Sequence, residues 1–444
     1  MLIEKYCTPF IFIAGIGFFV LAFITMCVIP SIQVRITDST ITNINEEEVS
    51  VPDYTELQKR GMRVYINEAC WQCHTQFIRP VAGEEKRWGP ISQAGEKSWD
   101  KPHLFGTRRV GPDLSREGGT RTDGWHYAHL YSPRSVMSDS VMPSFSWLFK
   151  KDKEGNPLPS DDVSALVSYL QKLGTAIGDW SLRRRENRPS VGNPPLVTMA
   201  LINRGKDVFM RYCIGCHGKE GQGDGEMAIF FEFKPRDFTK GVFRIGSTFD
   251  LPTEKDIFRT ITRGMYGSAM PSWSILSEDD RWALVKFIKT LAIFYDEDEE
   301  EYFNIFELRG ESPEVYISAE PEVTPESIKS GENIFKNVIG CPKCHGQDNK
   351  GLTREDGDFD WVDEAGRPIP KSADLTSGVF KSGSSPQDIY LIFVTGREGS
   401  PMPSFSEKLP SEQDRWDLVH YVRSLFTDDL KRKKVSLLPE EYQE

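Results

Sequence analysis

The pattern Cys-x-x-Cys-His occurs three times in this chain, and it limits the possible folds more strongly than any other feature. The three copies are CWQCH (70–74), CIGCH (213–217) and CPKCH (341–345). Together they use six of the eight cysteines, so chance placement does not explain them. The other two cysteines, Cys7 and Cys27, lie in an apolar N-terminal segment, where we interpret them as apolar filler.

Three chemistries use cysteines with this spacing. In covalent haem attachment, both thiols bond to one porphyrin edge and the histidine ligates the iron. Structural zinc needs four nitrogen or sulfur ligands, so two motifs could pair and one would be left over. A redox disulfide gives the histidine no role. We favour haem, with these candidate attachment residues: Cys70, Cys73, His74, Cys213, Cys216, His217, Cys341, Cys344 and His345.

A haem attached in this way calls for a sixth iron ligand, and a second repeat offers one for each motif. Its core is Met-Pro-Ser-aromatic-Ser, at 142–146, 270–274 and 402–406. A thioether sulfur is a known axial ligand in c-type cytochromes. The proline after each methionine restricts the loop. We predict that the iron ligands are His74 with Met142, His217 with Met270, and His345 with Met402; Met137 competes with Met142.

Helical patterns flank each copy of the motif. Upstream lie GMRVY (61–65), GKDVF (205–209) and GENIF (331–335). Downstream, the segments 160–173, 277–291 and 411–425 each begin with a serine that is suited to an N-cap, followed by acidic residues. In the second of these, Leu284, Phe287, Ile288 and Leu291 share one helix face. Leu418, Tyr421, Val422 and Leu425 repeat that face in the third. Each unit is therefore predicted to run helix, Cys-x-x-Cys-His, loops, methionine, helix.

The N-terminus carries an apolar segment. Residues 6–34 contain no charged side chain, and the apolar core at 9–30 is long enough to span a bilayer as a helix. A cleaved signal peptide would have a shorter apolar region that ends in small residues. Here the apolar run continues through Met26, Val28 and Ile29. We therefore expect a retained single-pass anchor.

Length and charge suggest how the rest is divided. The 444 residues predict an anchor at 1–34 and domains at 35–180, 181–301 and 302–444. Residues 174–203 look like a linker, and the segment from the acidic run 296–301 to about 328 is expected to wrap over a domain surface. The KRKK run at 431–434 is interpreted as solvated. Of the net charge of −12, residues 302–444 carry −9, which favours a basic partner there and argues against nucleic acid.

The first domain resembles the membrane-anchored mono-haem cytochrome c subunit of cbb3-type oxidases, over roughly residues 1–175. The likeness is carried, in order, by CWQCHTQFIRP (70–80), AGEKSWDKPHLFGTRRVGPDL (94–114), WHYAHLYSPRSV (125–136) and MPSFSWL (142–148). It implies that Cys70, Cys73, His74 and Met142 hold a haem. Arg79, Arg108 and Arg109 become candidates for the haem propionates or for a subunit interface, or else solvent-facing charges.

The later domains resemble bacterial di-haem periplasmic c-type cytochromes, at 204–295 and 330–426, and each unit resembles the class I cytochrome c fold. CHGKEGQGDGE (216–226) and TGREGSPMPSF (395–405) carry part of the likeness. In the cbb3 family the mono-haem and di-haem proteins are separate chains, whereas this chain combines both. The expected fold is mainly α, with one N-terminal transmembrane helix followed by three class I cytochrome c domains.

The resemblance implies electron transfer by three covalently bound c-type haems, with no catalytic centre on this chain. Electrons would pass from a soluble or quinol-side donor, through the third and second domains, to the first. From there they would enter an integral membrane haem-copper catalytic subunit. The haem domains would lie in the periplasm of a bacterium, anchored in the inner membrane with residues 1–5 on the cytoplasmic side. A nitric oxide reductase cytochrome subunit and a free-standing membrane-tethered shuttle are the alternatives.

Four histidines lie outside the three motifs. His126 and His129 stand three apart, on one face if their segment is helical, and could bind a metal or be structural. Since no third ligand is evident, we favour a structural or interfacial role for this pair. His103 has the same interpretation, and His420 is expected to pack within the last helix.

Overall fold

The computed structural model describes residues 2–35, 38–81, 83–178, 180, 188–297, 300–310, 312–352, 362 and 371–426. These residues are mainly helical and also form three two-stranded antiparallel sheets. The α-helices are α1 Leu2–Phe23, α2 Ile29–Arg35, α3 Glu56–Asn67, α4 Glu84–Trp88, α5 Asp123–Tyr131, α6 Pro133–Val136, α7 Asp161–Lys172, α8 Met199–Tyr212, α9 Ile214–His217, α10 Glu254–Arg263, α11 Glu278–Thr290, α12 Ile305–Arg309, α13 Pro325–Asn333, α14 Pro342–His345, α15 Pro386–Thr395 and α16 Glu412–Ser424.

The strands pair as simple hairpins beside the helices. They are β1 Thr40–Thr42 with β2 Glu48–Ser50, β3 Phe149–Lys151 with β4 Pro157–Pro159, and β5 Ile293–Asp296 with β6 Glu301–Asn304. Short 3-10 turns lie between the main helices, and single π-helical turns occur at Ile24–Val28 and Ile334–Val338. The mainly helical class expected from the sequence is confirmed.

One helix among the described residues is long and apolar enough to cross a membrane. The stretch Pro9–Ile32 spans 24 residues and buries none of its length against the rest of the chain. Phe10, Phe18 and Met26 are among its exposed side chains. An apolar helix that finds no protein partner is suited to lipid, so it supports anchoring of the chain in a membrane.

Three pairs of crossing helices organise the body of the chain: α3 with α7, α8 with α11, and α13 with α16. We call the regions they enclose the first unit (38–178), the second unit (198–292) and the third unit (324–426). At each crossing, a glycine of the first helix meets the backbone of the last. A Cβ atom there would lie only 1.9–2.0 Å from a carbonyl oxygen; the contacts are Gly61 with Ala165, Gly205 with Ala283, and Gly331 with Asp417.

An aromatic pair completes each crossing, four residues after the glycine. The ring centroids lie 5.1–5.5 Å apart in Tyr65–Tyr169, Phe209–Phe287 and Phe335–Tyr421. The predicted serine caps are confirmed, since Ser160, Ser277 and Ser411 each accept a hydrogen bond from a backbone N–H in the first turn of their helix. The repeated sequence pattern thus gives the same crossing three times. The exact domain boundaries stay a prediction.

The linker predicted at 174–203 differs from the structure at its end. Helix α8 begins at Met199, so the last five residues of that segment are helical. Thr198 starts the helix by accepting a hydrogen bond from the Leu201 N–H. The mix of Gly, Pro and Arg earlier in the segment obscured this start.

The segment after the second unit lies on protein surfaces, as predicted. Phe306 packs against the core of the second unit, and the Val315 N–H donates to the Ser247 carbonyl at 2.6 Å. Further on, Ile317 packs against the core of the third unit, and Trp416 donates to Ser318 at 2.9 Å. The segment is therefore fastened first to one unit and then to the next. The KRKK run lies outside the described residues.

Candidate haem sites

Each Cys-x-x-Cys-His motif closes one tight turn. The histidine N–H donates to the carbonyl of the first cysteine, at 2.9–3.0 Å in all three copies. The second cysteine N–H donates to the same carbonyl at 3.1–3.2 Å. One turn therefore carries both sulfur atoms, and the histidine follows directly. All six cysteines are unpaired, so no disulfide competes for them.

The three imidazoles are oriented in the same way. Each Nδ1 lies within hydrogen-bonding distance of a backbone carbonyl oxygen: Pro112 for His74 (2.9 Å), Arg236 for His217 (3.3 Å) and Ala373 for His345 (2.9 Å). A carbonyl can only accept, so Nδ1 carries the proton and Nε2 keeps its lone pair for a metal. This is the tautomer that an iron ligand needs.

Burial also sets the charge of these groups. It lowers the pKa of all three imidazoles, that of His217 to about 4, so they are neutral at physiological pH. It raises the pKa of the thiols of Cys70, Cys213, Cys216 and Cys341 to about 12. These four thiols are therefore protonated at physiological pH as long as no group is bound to them.

The three methionine loops share their hydrogen bonds. In each loop the methionine N–H donates to the hydroxyl of a serine two residues earlier: Ser140 for Met142 (3.2 Å), Ser268 for Met270 (3.3 Å) and Ser400 for Met402 (3.4 Å). The serine two residues after each methionine donates to a carbonyl in the last turn of an upstream helix: Ser144 to Tyr131 (2.6 Å), Ser272 to Thr262 (2.6 Å) and Ser404 to Val394 (2.5 Å). The motif thus fixes each methionine from both sides.

Packing separates Met142 from its competitor Met137. Met142 is half-buried against the core of the first unit, which also receives Cys70. Met137 packs instead against two clusters that contain second-unit residues. Met270 and Met402 likewise pack against the cores of their own units. Position therefore favours Met142 over Met137 as the ligand in the first unit.

Two of the three candidate arginines of the first unit are held by a buried acid. Arg79 and Arg109 both bind Glu84, Arg109 through contacts at 2.6 and 2.8 Å. Arg109 also donates to Thr75, the residue after His74, at 2.7 Å. The hydrogen bond from Arg109 holds the pKa of Glu84 at about 2. Arg108 is exposed. Arg79 and Arg109 thus brace the loop that follows the attachment turn.

The remaining histidines are packed side chains. His129 stacks on Trp125 with ring centroids 4.6 Å apart, and His126 is buried with Nε2 3.6 Å from Glu117. His103 stacks on Phe105, and His420 is buried beside the Ser327 hydroxyl at 2.8 Å. Among the described residues, no group of three or more His, Cys, Asp or Glu side chains could hold a metal ion. Neither the His126–His129 pair nor two joined Cys-x-x-Cys-His motifs form a zinc site there.

Two family models match the chain and together cover most of it. Residues 9–161 match the cytochrome c oxidase mono-haem subunit, FixO. Residues 200–288 and 326–422 match the cbb3-type cytochrome c oxidase subunit III. This chain is a fusion of the two cytochrome components of cbb3-type oxidases. The fusion expected from the sequence is confirmed.

Two further comparisons add little to the assignment. A solved structure, the Kuenenia stuttgartiensis reducing HAO-like protein complex, is 38% identical and covers 53% of this chain and 100% of its own, with a TM-score of 0.46. The comparison with curated proteins finds no match.

Membership in these families fixes the cofactor class and the general role. The matched cytochrome c domains imply covalently bound haem c, electron transfer in a cbb3-type oxidase, and partnership with its haem-copper catalytic subunit. The donor set fits that cofactor, since each unit offers paired thiols, a neutral imidazole with a free Nε2, and a fixed thioether. Gly111 leaves room for the imidazole, because a Cβ there would lie 2.3 Å from His74 Cε1.

Several site residues were not singled out from the sequence. The serines Ser140, Ser268 and Ser400 stand two residues before each methionine, so aligning the three repeats would have found them. The same alignment places an aspartate after each carbonyl that binds an imidazole, at Asp113, Asp237 and Asp374. Asp237 and Asp374 fold the loop by accepting from the N–H and hydroxyl of a threonine two residues later.

Proposed function

We propose that this chain is a membrane-anchored tri-haem cytochrome c that carries electrons to the catalytic subunit of a cbb3-like haem-copper oxidase. The observation that carries the proposal is the threefold repeat of one ligand geometry. Each attachment turn has an imidazole tied through Nδ1 to a carbonyl, and each unit has a methionine loop with the same pair of serine hydrogen bonds.

In this proposal the residues have separate roles. The cysteines Cys70, Cys73, Cys213, Cys216, Cys341 and Cys344 form the thioether bonds. The iron would be held by His74 with Met142, by His217 with Met270, and by His345 with Met402. Haem c with these ligands exchanges one electron between ferrous and ferric iron and offers no open position to a substrate. We therefore place no catalytic centre on this chain.

The protein contributes rigidity and a defined electrostatic setting. The backbone carbonyls hold each imidazole in one tautomer, and the serine pairs hold each thioether in one loop conformation. A site that is fixed in advance needs little rearrangement when its charge changes by one. Soft thioether ligation favours the ferrous state and raises the reduction potential.

The order of transfer follows from tethering and charge. The first unit follows the anchor directly, so we place it nearest the bilayer and the catalytic subunit, with the haem units in the periplasm. The last third carries −9 of the net charge, which suits a basic soluble donor or a quinol-side donor at the third unit. Fusion of the units raises their effective concentration for transfer.

Purification from native membranes in mild detergent tests the proposal. We expect three covalent haems per chain, a co-purifying b-type haem-copper subunit and oxygen consumption. Nitric oxide consumption in place of oxygen would instead assign the chain to a nitric oxide reductase. The absence of any catalytic subunit would support a free-standing shuttle.

The terminal position of the first unit has a test of its own. Met142→Ala should stop turnover of the assembled complex while the haems of the second and third units are still reduced by the donor. Met402→Ala is the matched change at the far end and should leave the first unit reducible by artificial donors. Turnover that survives Met142→Ala would contradict the order.

A further inference from the structure

The first and second units share a buried apolar contact. Trp125, Ala128 and Val136 of the first unit form one buried cluster with Met227 and Phe231 of the second. Three partly buried residues of the second unit pack against this cluster, namely Cys216, Phe230 and Ala269. Cys216 belongs to the attachment turn, and Ala269 adjoins Met270. The first unit therefore covers the second where both its attachment turn and its methionine loop reach the surface.

The two backbones come close at the attachment turn itself. A Cβ atom on Gly215, which lies inside CIGCH, would stand 1.8 Å from the Ser135 carbonyl oxygen. A second close approach involves a glycine of the first unit: a Cβ atom on Gly124 would stand 2.4 Å from the carbonyl oxygen of Phe230 in the second unit. Any side chain at Gly215 would push the first unit away.

The attachment turn does not itself require this glycine. The equivalent position holds Gln72 in the first motif and Lys343 in the third, and both turns have the same hydrogen bonds. Gly215 is not among the residues with positive φ, so its backbone conformation is open to any residue. The need for glycine arises from the contact with Ser135.

A polar contact closes the rim of the same interface. Asp139 binds Arg211 at 2.6 Å and accepts from the Tyr212 hydroxyl at 2.9 Å. Arg211 and Tyr212 directly precede Cys213, while Asp139 lies three residues before Met142. The pair is exposed and contributes little stability alone. It does set which part of the first unit faces the attachment turn.

We propose that residues 132–142 of the first unit form a fixed electron-transfer junction with the attachment turn of the second. This inference rests on the proposed function and adds the contact through which transfer runs. In this step the second unit is oxidised by one electron, and the first unit is reduced by the same electron. A one-electron donor supplies the second unit, and no bond or proton changes. The segment ends at Met142 and lies against Cys216, so it joins ligand-bearing parts of both sites.

The test is Gly215→Gln in the purified full-length chain, without a catalytic subunit. Lys343→Gln is the matched control, since it places the same side chain at the same position of the third motif. Both variants should keep three covalent haems. In Gly215→Gln, backbone hydrogen exchange should rise in residues 132–142 and 214–231. Transfer from the second to the first unit should slow by about tenfold or more, because a fixed geometry is lost.

The transfer rate is measured by rapid-freeze electron paramagnetic resonance, which follows the loss of the ferric signal of the first unit. A Met142→His reference variant identifies that signal, because the substitution changes the signal of the first unit alone. Unchanged hydrogen exchange in Gly215→Gln, or increased exchange with an unchanged transfer rate, would overturn the proposal. If Gly215→Gln loses its haem, Val136→Asp decides, because it charges the interface outside any attachment turn. Both measurements concern electron transfer within this chain. A negative result would therefore not contradict electron transfer from this chain to an oxidase. Conversely, if the chain does not bind an oxidase, this test of the junction still applies.

Discussion

Arg263 of the second unit and Asp388 of the third form a buried ion pair, with Nη1 and Oδ2 3.0 Å apart. Both side chains are nearly inaccessible to solvent. Further arginines line the cavity around the pair: Arg188, Arg244, Arg259 and Arg397. Asp256 is the other carboxylate among the residues lining this cavity. Asp388 thus supplies a negative charge to an arginine-rich contact between the second and third units.

Asp388→Asn should destabilise this contact by about 3 kcal/mol, because it leaves buried guanidinium groups without their counter-charge. Urea denaturation of the full chain should show a lower midpoint for the second and third units. Asp250→Asn is the matched control, since Asp250 binds Arg309 in an exposed pair at 2.9 Å. It should cost less than about 1 kcal/mol. Equal effects of the two variants would contradict the role given to the buried pair.

Gly205→Ala should disrupt the second unit. The added methyl group would lie 2.0 Å from the Ala283 carbonyl oxygen, so the two helices must move apart at a cost of about 3 kcal/mol. We expect a lower thermal midpoint and covalent haem content below that of the wild type. Gly192→Ala is the control, because its nearest neighbour is a flexible Glu278 side chain 3.6 Å away. A Gly205→Ala protein as stable as the control would refute the crossing argument.

Ser268→Ala should loosen the methionine loop of the second unit. The serine hydroxyl accepts from the Met270 N–H and donates to the Met265 carbonyl, so two hydrogen bonds worth about 1 kcal/mol each are lost. In the proposed tri-haem protein, the methionine–iron charge-transfer absorption of the ferric form should weaken by up to one third, since one of three sites is affected. Ser274→Ala, in the same loop but bonded to Ser272, should leave that absorption intact.

The first unit should lose stability in mild acid. Burial lowers the pKa of His126 and of His129 to about 3, from 6.5 in the unfolded chain. Below pH 6.5 the unfolded chain binds protons that the folded unit does not. Stability that is complete above pH 6.5 is therefore lost as the pH falls toward 3, at about 1.4 kcal/mol per pH unit for each histidine.

Urea titrations at pH 7 and pH 5 measure this loss. His129→Phe should remove about half of the combined contribution of His126 and His129 while keeping a ring stacked on Trp125. Burial raises the pKa of Glu117, which opposes the loss in both proteins, so the difference between them isolates His129. Identical pH slopes for variant and wild type would exclude this assignment.

The repeated parts of the structure were predictable because each unit is built from local signals. Ser277 and the acidic residues after it predict the start of a helix. The spacing of Leu284, Phe287 and Ile288 predicts which face of that helix is buried. The methionine motif stands out because three copies share one unusual context. Such signals need no knowledge of distant contacts.

The contacts between units could not be predicted from comparable local patterns in the sequence. Gly215 looks like a permissive position inside its motif, and only the approach of Ser135 explains it. Arg263 and Asp388 are 125 residues apart, and nothing near either one indicates its partner. The carbonyls that orient the imidazoles have no side-chain pattern of their own, because any residue supplies one; only the aspartate that follows each carbonyl recurs in the sequence.

The connection between the second and third units has a mechanical consequence. Its first part is hydrogen-bonded to Ser247, and its next part packs against the core of the third unit. The described part of this connection is therefore attached to both units that it joins and holds the third unit beside the second. The third unit is therefore held in place and does not diffuse relative to the second unit. Any electron donor to the third unit must diffuse to it and bind there.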